Sequence, residues 1–142
     1  MTMTPAEFKT VRESLNLSGR DMANILGLKS DRTIRFWESG RSPVPDGAAA
    51  VLIGIDTAVK HAVDRAVERE VEAIDEINRV PVSTGKTTIY RYRDDGQFAR
   101  LDPENYEALH YAKVHHAMIA RLRVTLRRLG VRGEIVYPPD DA

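Results

Sequence analysis

At 142 residues, with 42% hydrophobic side chains, the chain is long enough for one ordinary domain or two small ones with a folded core, which excludes a disordered class. Cysteine is absent, so disulfides and thiolate metal sites are excluded and a reducing compartment is the easier reading. Twenty-one basic and twenty-one acidic residues cancel, so any basic surface has to come from segregation, with acid gathered between Asp64 and Glu76 and base between Arg121 and Arg132.

The N-terminal MTMTPAEFK has no apolar segment of a secretory signal, and no apolar run reaches the length of a membrane span. Thr4, Pro5 and Glu7 open a first helix as N-cap, first helical residue and capping-box acid. Phe8, Val11 and Leu15 form its expected buried stripe, and it ends by Asn16. Ser18 and Asp21 repeat the capping signal and open a short second helix with Met22, Ala23 and Leu26 on its apolar side. Gly27 permits a sharp turn. A third helix is expected from Ser30 to Arg41, SDRTIRFWESGR, with Ser30 as N-cap and Gly40 as its stop. Ile34 and Trp37 share one face, and Arg32, Thr33, Arg35 and Phe36 turn to others. Three short helices, the last two joined by a glycine turn, make a helix-turn-helix layout.

The string LNLSGRDMANILGLKSDRTIRFWESGRSPVP resembles the DNA-binding domain of phage repressor/Cro-type (XRE) regulators. Its carriers are Ser18, Asp21-Met22-Ala23, Leu26-Gly27, Ile34, Trp37-Glu38 and Gly40. The run from Trp37 to Ser42, followed by Val44-Pro45, is similar to small anti-CRISPR-associated autoregulators that add a C-terminal dimerisation domain. The resemblance implies base contacts from Ser30, Asp31, Arg32, Thr33, Arg35 and Phe36. It implies backbone contacts from Ser18, Gly19, Arg20, Arg41 and Ser42, with the Ser18 and Gly19 amides facing a phosphate. Arg32 is the first choice for a guanine, because its fork matches O6 and N7. Asp31 is either an acceptor for cytosine N4 or a favourable charge at the start of the helix, and the second reading is preferred. Relatives also pair the acid at Glu38 with an arginine of the first helix, which here is Arg12.

Beyond Pro43 and Pro45, a helix is expected from about Asp46 to Arg79. Leu52, Ile55, Val59, Val63, Val67, Val71, Ile74 and Ile77 lie along one side, and a bend or break falls near Gly54 or Lys60. Val80 to Thr88 is a loop; its Gly85-Lys86-Thr87 fails as a P-loop because Val80 stands where the first glycine belongs. Thr87 to Arg93 reads as a strand and Gln97 to Leu101 as a helical turn or two. One long helix is expected from Asp102-Pro103 to Leu129, with Leu109, Ala112, His116, Ile119, Leu122, Leu126 and Leu129 as its stripe and Gly130 and Gly133 ending it. Glu134 to Tyr137 is a short strand before an acidic tail. The fold class is therefore mainly α with a small α+β part. Residues 1–58 would form a helix-turn-helix DNA-binding domain, 59–86 a connecting helix and loop, and 87–142 a strand-helix-strand dimerisation domain.

His110, His115 and His116 have the wrong spacings for a helical metal pair and are expected to be packed or surface residues. The Asp94-Asp95 and Asp140-Asp141 pairs suit turns and tails, and no catalytic constellation, cofactor or metal site stands out. Arg91, Arg93, Arg121, Arg123, Arg127, Arg128 and Arg132, interleaved with Tyr90 and Tyr92, read either as a solvated face or as a second surface for RNA, the first being favoured. The expected protein is a cytoplasmic, bacterial or phage-encoded repressor. It would bind a double-stranded DNA operator as a homodimer on an inverted repeat and autoregulate its own operon. The alternative is an antitoxin or protein-interaction module built on the same domain.

Overall fold

The computed structural model describes residues 3–77 and 85–139. Among them the chain is mainly helical with one small sheet, and it divides into two compact units, Met1–Ala58 and Val59–Ala142. No helix among the described residues is long and apolar enough to cross a membrane.

The first unit holds α1 (Pro5–Ser14), α2 (Gly19–Ile25), α3 (Arg32–Glu38) and the start of α4 (Asp46–Ile77). Both capping boxes form as the sequence predicts. Thr4 and Glu7 exchange side-chain and backbone bonds at the start of α1, and Ser18 and Asp21 do so at the start of α2. Phe8, Leu15, Leu17, Met22, Ile34 and Leu52 are almost wholly buried, and Trp37 meets Phe8 edge to face at 5.8 Å. Val11, expected in the α1 stripe, is only half-buried, and Arg12 takes the buried place because it has a carboxylate to meet. Leu26 is likewise half-buried. Asn16, at φ 60, turns the chain out of α1, and Gly27, at φ 72, turns it out of α2.

α4 runs unbroken past Gly54 and Lys60, against the expected break. Gly54 faces open space, where it neither packs closely nor interrupts the backbone ladder. In the expected stripe Leu52, Val59 and Val63 are buried, Ile55 and Val67 half-buried, and Val71 exposed. The loop segment 78–84, the side chains of Ile74 and Ile77, and the acidic tail lie outside the described residues.

The second unit adds β1 (Lys86–Tyr90), α5 (Asp95–Leu101), α6 (Pro103–Leu109), α7 (Ala112–Arg128) and β2 (Arg132–Val136). β1 and β2 pair in parallel, with Ile89 opposite Ile135, and Lys86 reaches Glu134 across the pair. The single helix expected from Pro103 to Leu129 is two helices. His110 adopts φ 66, and Tyr111, extended, caps α7. At the other end of α7, Leu129 is the C-cap and exposed, outside the buried stripe expected of it. Gly133 does not end a helix but sits inside β2, where a Cβ would come within 2.6 Å of Ile89 Cδ1. Gly130, at φ 81, makes the stop. The core centres on Phe98, with Tyr92 stacked at 5.3 Å, Tyr106 edge-on at 5.5 Å and His115 at 4.6 Å.

Candidate nucleic-acid interface

α3 has two unlike sides. Ile34 and Trp37 anchor it in the core, while Arg32 and Arg35 stand exposed. α3 begins one residue later than its sequence suggests. Its N-cap is Asp31, and Ser30 lies one residue upstream with its Oγ 3.4 Å from the Arg32 amide. Ser30 therefore supports the first helical amide without being the cap. Gly40, at φ 81, reverses the chain after α3, and the Arg41 and Ser42 amides both donate to the Phe36 carbonyl, at 3.0 and 3.2 Å. That closure brings Arg41 back over α3.

The exposed side is organised by two kinds of contact. Asp31 Oδ1 accepts from Arg35 Nη1 at 2.7 Å, one helical turn apart. The half-buried Phe36 ring carries the Arg32 guanidinium at 5.2 Å and the Arg41 guanidinium at 4.7 Å. Each such stack by an exposed guanidinium is worth about 0.5–1 kcal/mol. Three guanidinium groups are thereby held on or against the exposed side of α3, and Thr33 lies half-buried among them in sequence.

α2 contributes its first turn. A Cβ at Gly19 would meet Asp31 Cβ at 3.6 Å, so the start of α2 lies beside the start of α3. Arg20 is exposed there. The Ser18 amide, expected to face a phosphate, instead donates to Asp21 Oδ2 at 2.8 Å, because the capping box consumes it. Gly19, at the first helical position, remains the amide of that pair for which the helix itself supplies no acceptor.

Arg12 fixes α3 from behind. Its Nε and Nη2 each donate to a Glu38 carboxylate oxygen at 2.7 Å, and Nη1 donates to the Leu17 carbonyl at 2.8 Å. The Glu38 hydrogen bond raises the Arg12 pKa against the opposing effect of burial, so the guanidinium keeps its charge.

The sequence reading missed two roles: Asp31 as a partner of Arg35, and Phe36 as the seat of two arginines. The first was visible as an acid–base pair at i and i+4. The seating of Arg41 depends on the turn after Gly40 and had no local signal.

In the second unit the suggested aromatic platform does not form. Tyr92 is buried against Phe98, which leaves Tyr90 alone exposed, so the two tyrosines cannot both stack on bases. Arg123, Arg127 and Arg132 line a groove of about 400 Å³, and Arg93 covers Tyr137 at 4.3 Å. His115 is buried, and His116 Nε2 lies 2.8 Å from the Tyr92 carbonyl. Among the described residues no group of three histidine or acidic side chains is placed to hold a metal.

No family model matches the chain. Over 51 residues it is 45% identical to the transcriptional repressor protein KorC of Escherichia coli, a stretch covering 34% of this chain and 60% of that protein. Over 53 residues it is 36% identical to the Aca2 repressor of Pectobacterium phage ZF40, covering 37% of this chain and 46% of that protein. The chain thus spans about half the length of the curated relatives it matches.

Proposed function

We propose that this chain is a sequence-specific transcriptional repressor whose α2 and α3 act as a helix-turn-helix on double-stranded DNA. The observation that carries the reading is the set of three guanidinium groups, Arg32, Arg35 and Arg41, held on the exposed side of a helix whose other side is anchored by Ile34 and Trp37. A helix of this kind enters the major groove, where an arginine fork reads guanine. Similarity to two repressors supports the same role.

The finer reading is a homodimer on an inverted repeat, acting at the promoter of its own operon. Val124, Leu129, Ile135 and Tyr137 leave large apolar side chains exposed in the second unit, which suits contact with a second copy. Two copies would place their recognition helices about 34 Å apart, with half-sites centred about 10 bp apart.

A mobility-shift assay with the DNA upstream of the gene, for wild type and Arg32→Ala, tests the reading. Loss of a bidentate guanine contact costs about 1–3 kcal/mol, or roughly 5- to 150-fold in affinity. Binding that is equally tight to unrelated DNA, and vanishes with salt, would reject it.

A further inference from the structure

Two couples lie side by side on the exposed part of α3, each linking residues four apart: Asp31 with Arg35, and Arg32 with Phe36. The first is the odd one. Asp31 occupies the N-cap, where a carboxylate ordinarily accepts from an amide of the first helical turn. Here it makes no cap bond; its Oδ1 accepts from Arg35 Nη1. Ser30 Oγ, at 3.4 Å from the Arg32 amide, is a long substitute. A cap bond stabilises a helix more than an exposed i,i+4 ion pair does. At Asp31, however, the backbone has φ −81 and ψ 1, outside the extended conformation from which the Thr4 and Ser18 caps reach their amides, so the carboxylate is turned along the helix to Arg35.

Resting on the repressor reading above, we infer that Asp31 is a positioning residue for base recognition, holding Arg35 in the orientation that reads a guanine. A guanidinium carries five N–H donors in one plane. The carboxylate engages one of those on Nη1 and leaves donors on both terminal nitrogens for guanine O6 and N7. The Arg35 side chain is 65% exposed, so without this anchor it would sample many rotamers and would have to be ordered on binding. The same carboxylate opposes DNA wherever Arg35 finds no guanine, because it faces phosphates and the acceptor edges of other bases. Asp31 thus raises discrimination while lowering affinity for unrelated sequence.

The test is base-by-base binding by the full chain. Duplexes carrying every single substitution of the preferred site are titrated with wild type, Asp31→Asn, Arg35→Ala and the double variant, with circular dichroism as the check on folding. Asparagine keeps the N-cap preference and removes the charge. Wild type should demand guanine at one base pair of each half-site, and Arg35→Ala should lose that demand. Asp31→Asn should weaken it by roughly two- to tenfold at the same base pair and no other, the range set by ordering one long side chain. It should bind unrelated DNA as tightly as wild type or more so, and the double variant should match Arg35→Ala. An unchanged profile for Asp31→Asn overturns the inference, as does a change at a base pair that Arg35→Ala leaves alone, since Asp31 would then be reading a base itself. A wild-type protein without sequence preference removes the repressor reading as well, and that shows before any variant is measured.

Discussion

Arg12 and Glu38 meet fork to fork, through two contacts of 2.7 Å, with side chains only 11% and 9% exposed. The pair ties α1 to α3 and so sets the angle at which the exposed arginines are held. Removing one partner leaves a mostly buried charge without its counterion, so Arg12→Ala should lower stability by about 3 kcal/mol. Replacing both, as Arg12→Met with Glu38→Leu, should recover most of that loss. Urea titration followed by the fluorescence of Trp37, the chain's one tryptophan, reports on this unit directly. An Arg12→Ala midpoint equal to wild type would deny the pair any structural weight.

His115 makes the second unit sensitive to acid. Its residue is 3% exposed, and burial lowers its pKa to about 4, outweighing the attraction of Asp102. Asp102 Oδ2 lies 3.8 Å from Nε2, too far for a hydrogen bond, so the neutral ring gains little there. The folded form binds this proton more weakly than the unfolded form. Stability is therefore full above the unfolded pKa of 6.5 and drains away as the pH falls toward about 4, by about 3 kcal/mol in all. His116, also lowered by burial, acts in the same direction. Thermal melting between pH 7.5 and 4.5 should show a slope that flattens in His115→Leu; an identical slope would mean the ring is not the source.

Phe36→Leu separates stacking from folding. Leucine fills a half-buried site on α3 but offers no ring face to Arg32 or Arg41. Losing both stacks should weaken operator binding by about 1 kcal/mol, roughly fivefold, without changing helix content. Fluorescence anisotropy with labelled operator measures it, and wild-type affinity in the variant would show that the ring does not help seat the arginines.

Two glycines should respond differently to alanine. Gly27, at φ 72, has no atom near the place of a Cβ, so Gly27→Ala meets only the backbone penalty of about 1 kcal/mol. Gly85, at φ 43, would set its Cβ 2.8 Å from the Gly130 carbonyl oxygen, and backbone must move to admit it. Chemical denaturation should find Gly85→Ala the more damaging of the two; equal losses would show that the close approach to Gly130 does not matter.

Local chemistry explains what was legible in the sequence. Capping boxes at Thr4 and Ser18, turns at Gly27 and Gly40, and the Ile34–Trp37 face are each specified within a few residues, and each appears. The break at His110 was hidden, because no glycine or proline marks it and the apolar spacing of Leu109, Ala112 and Ile119 runs through it. The pairing of β1 with β2 was hidden for a different reason: register between distant strands is set by packing, not by neighbours in sequence. At the candidate site, the cationic residues of α3 were legible as residue types. Which partner each one takes was not, because Arg41 reaches Phe36 only after the chain has reversed.

The parallel strand pair fixes an order of assembly during synthesis. β1 and β2 are separated in the chain by three helices, so the sheet of the second unit cannot close until residue 136 has left the ribosome. The first unit draws its contacts from residues made much earlier, and it can fold while its neighbour is still a nascent chain. A ribosome stalled between the two would therefore display a folded head carrying Arg32, Arg35 and Arg41 before the rest of the molecule exists.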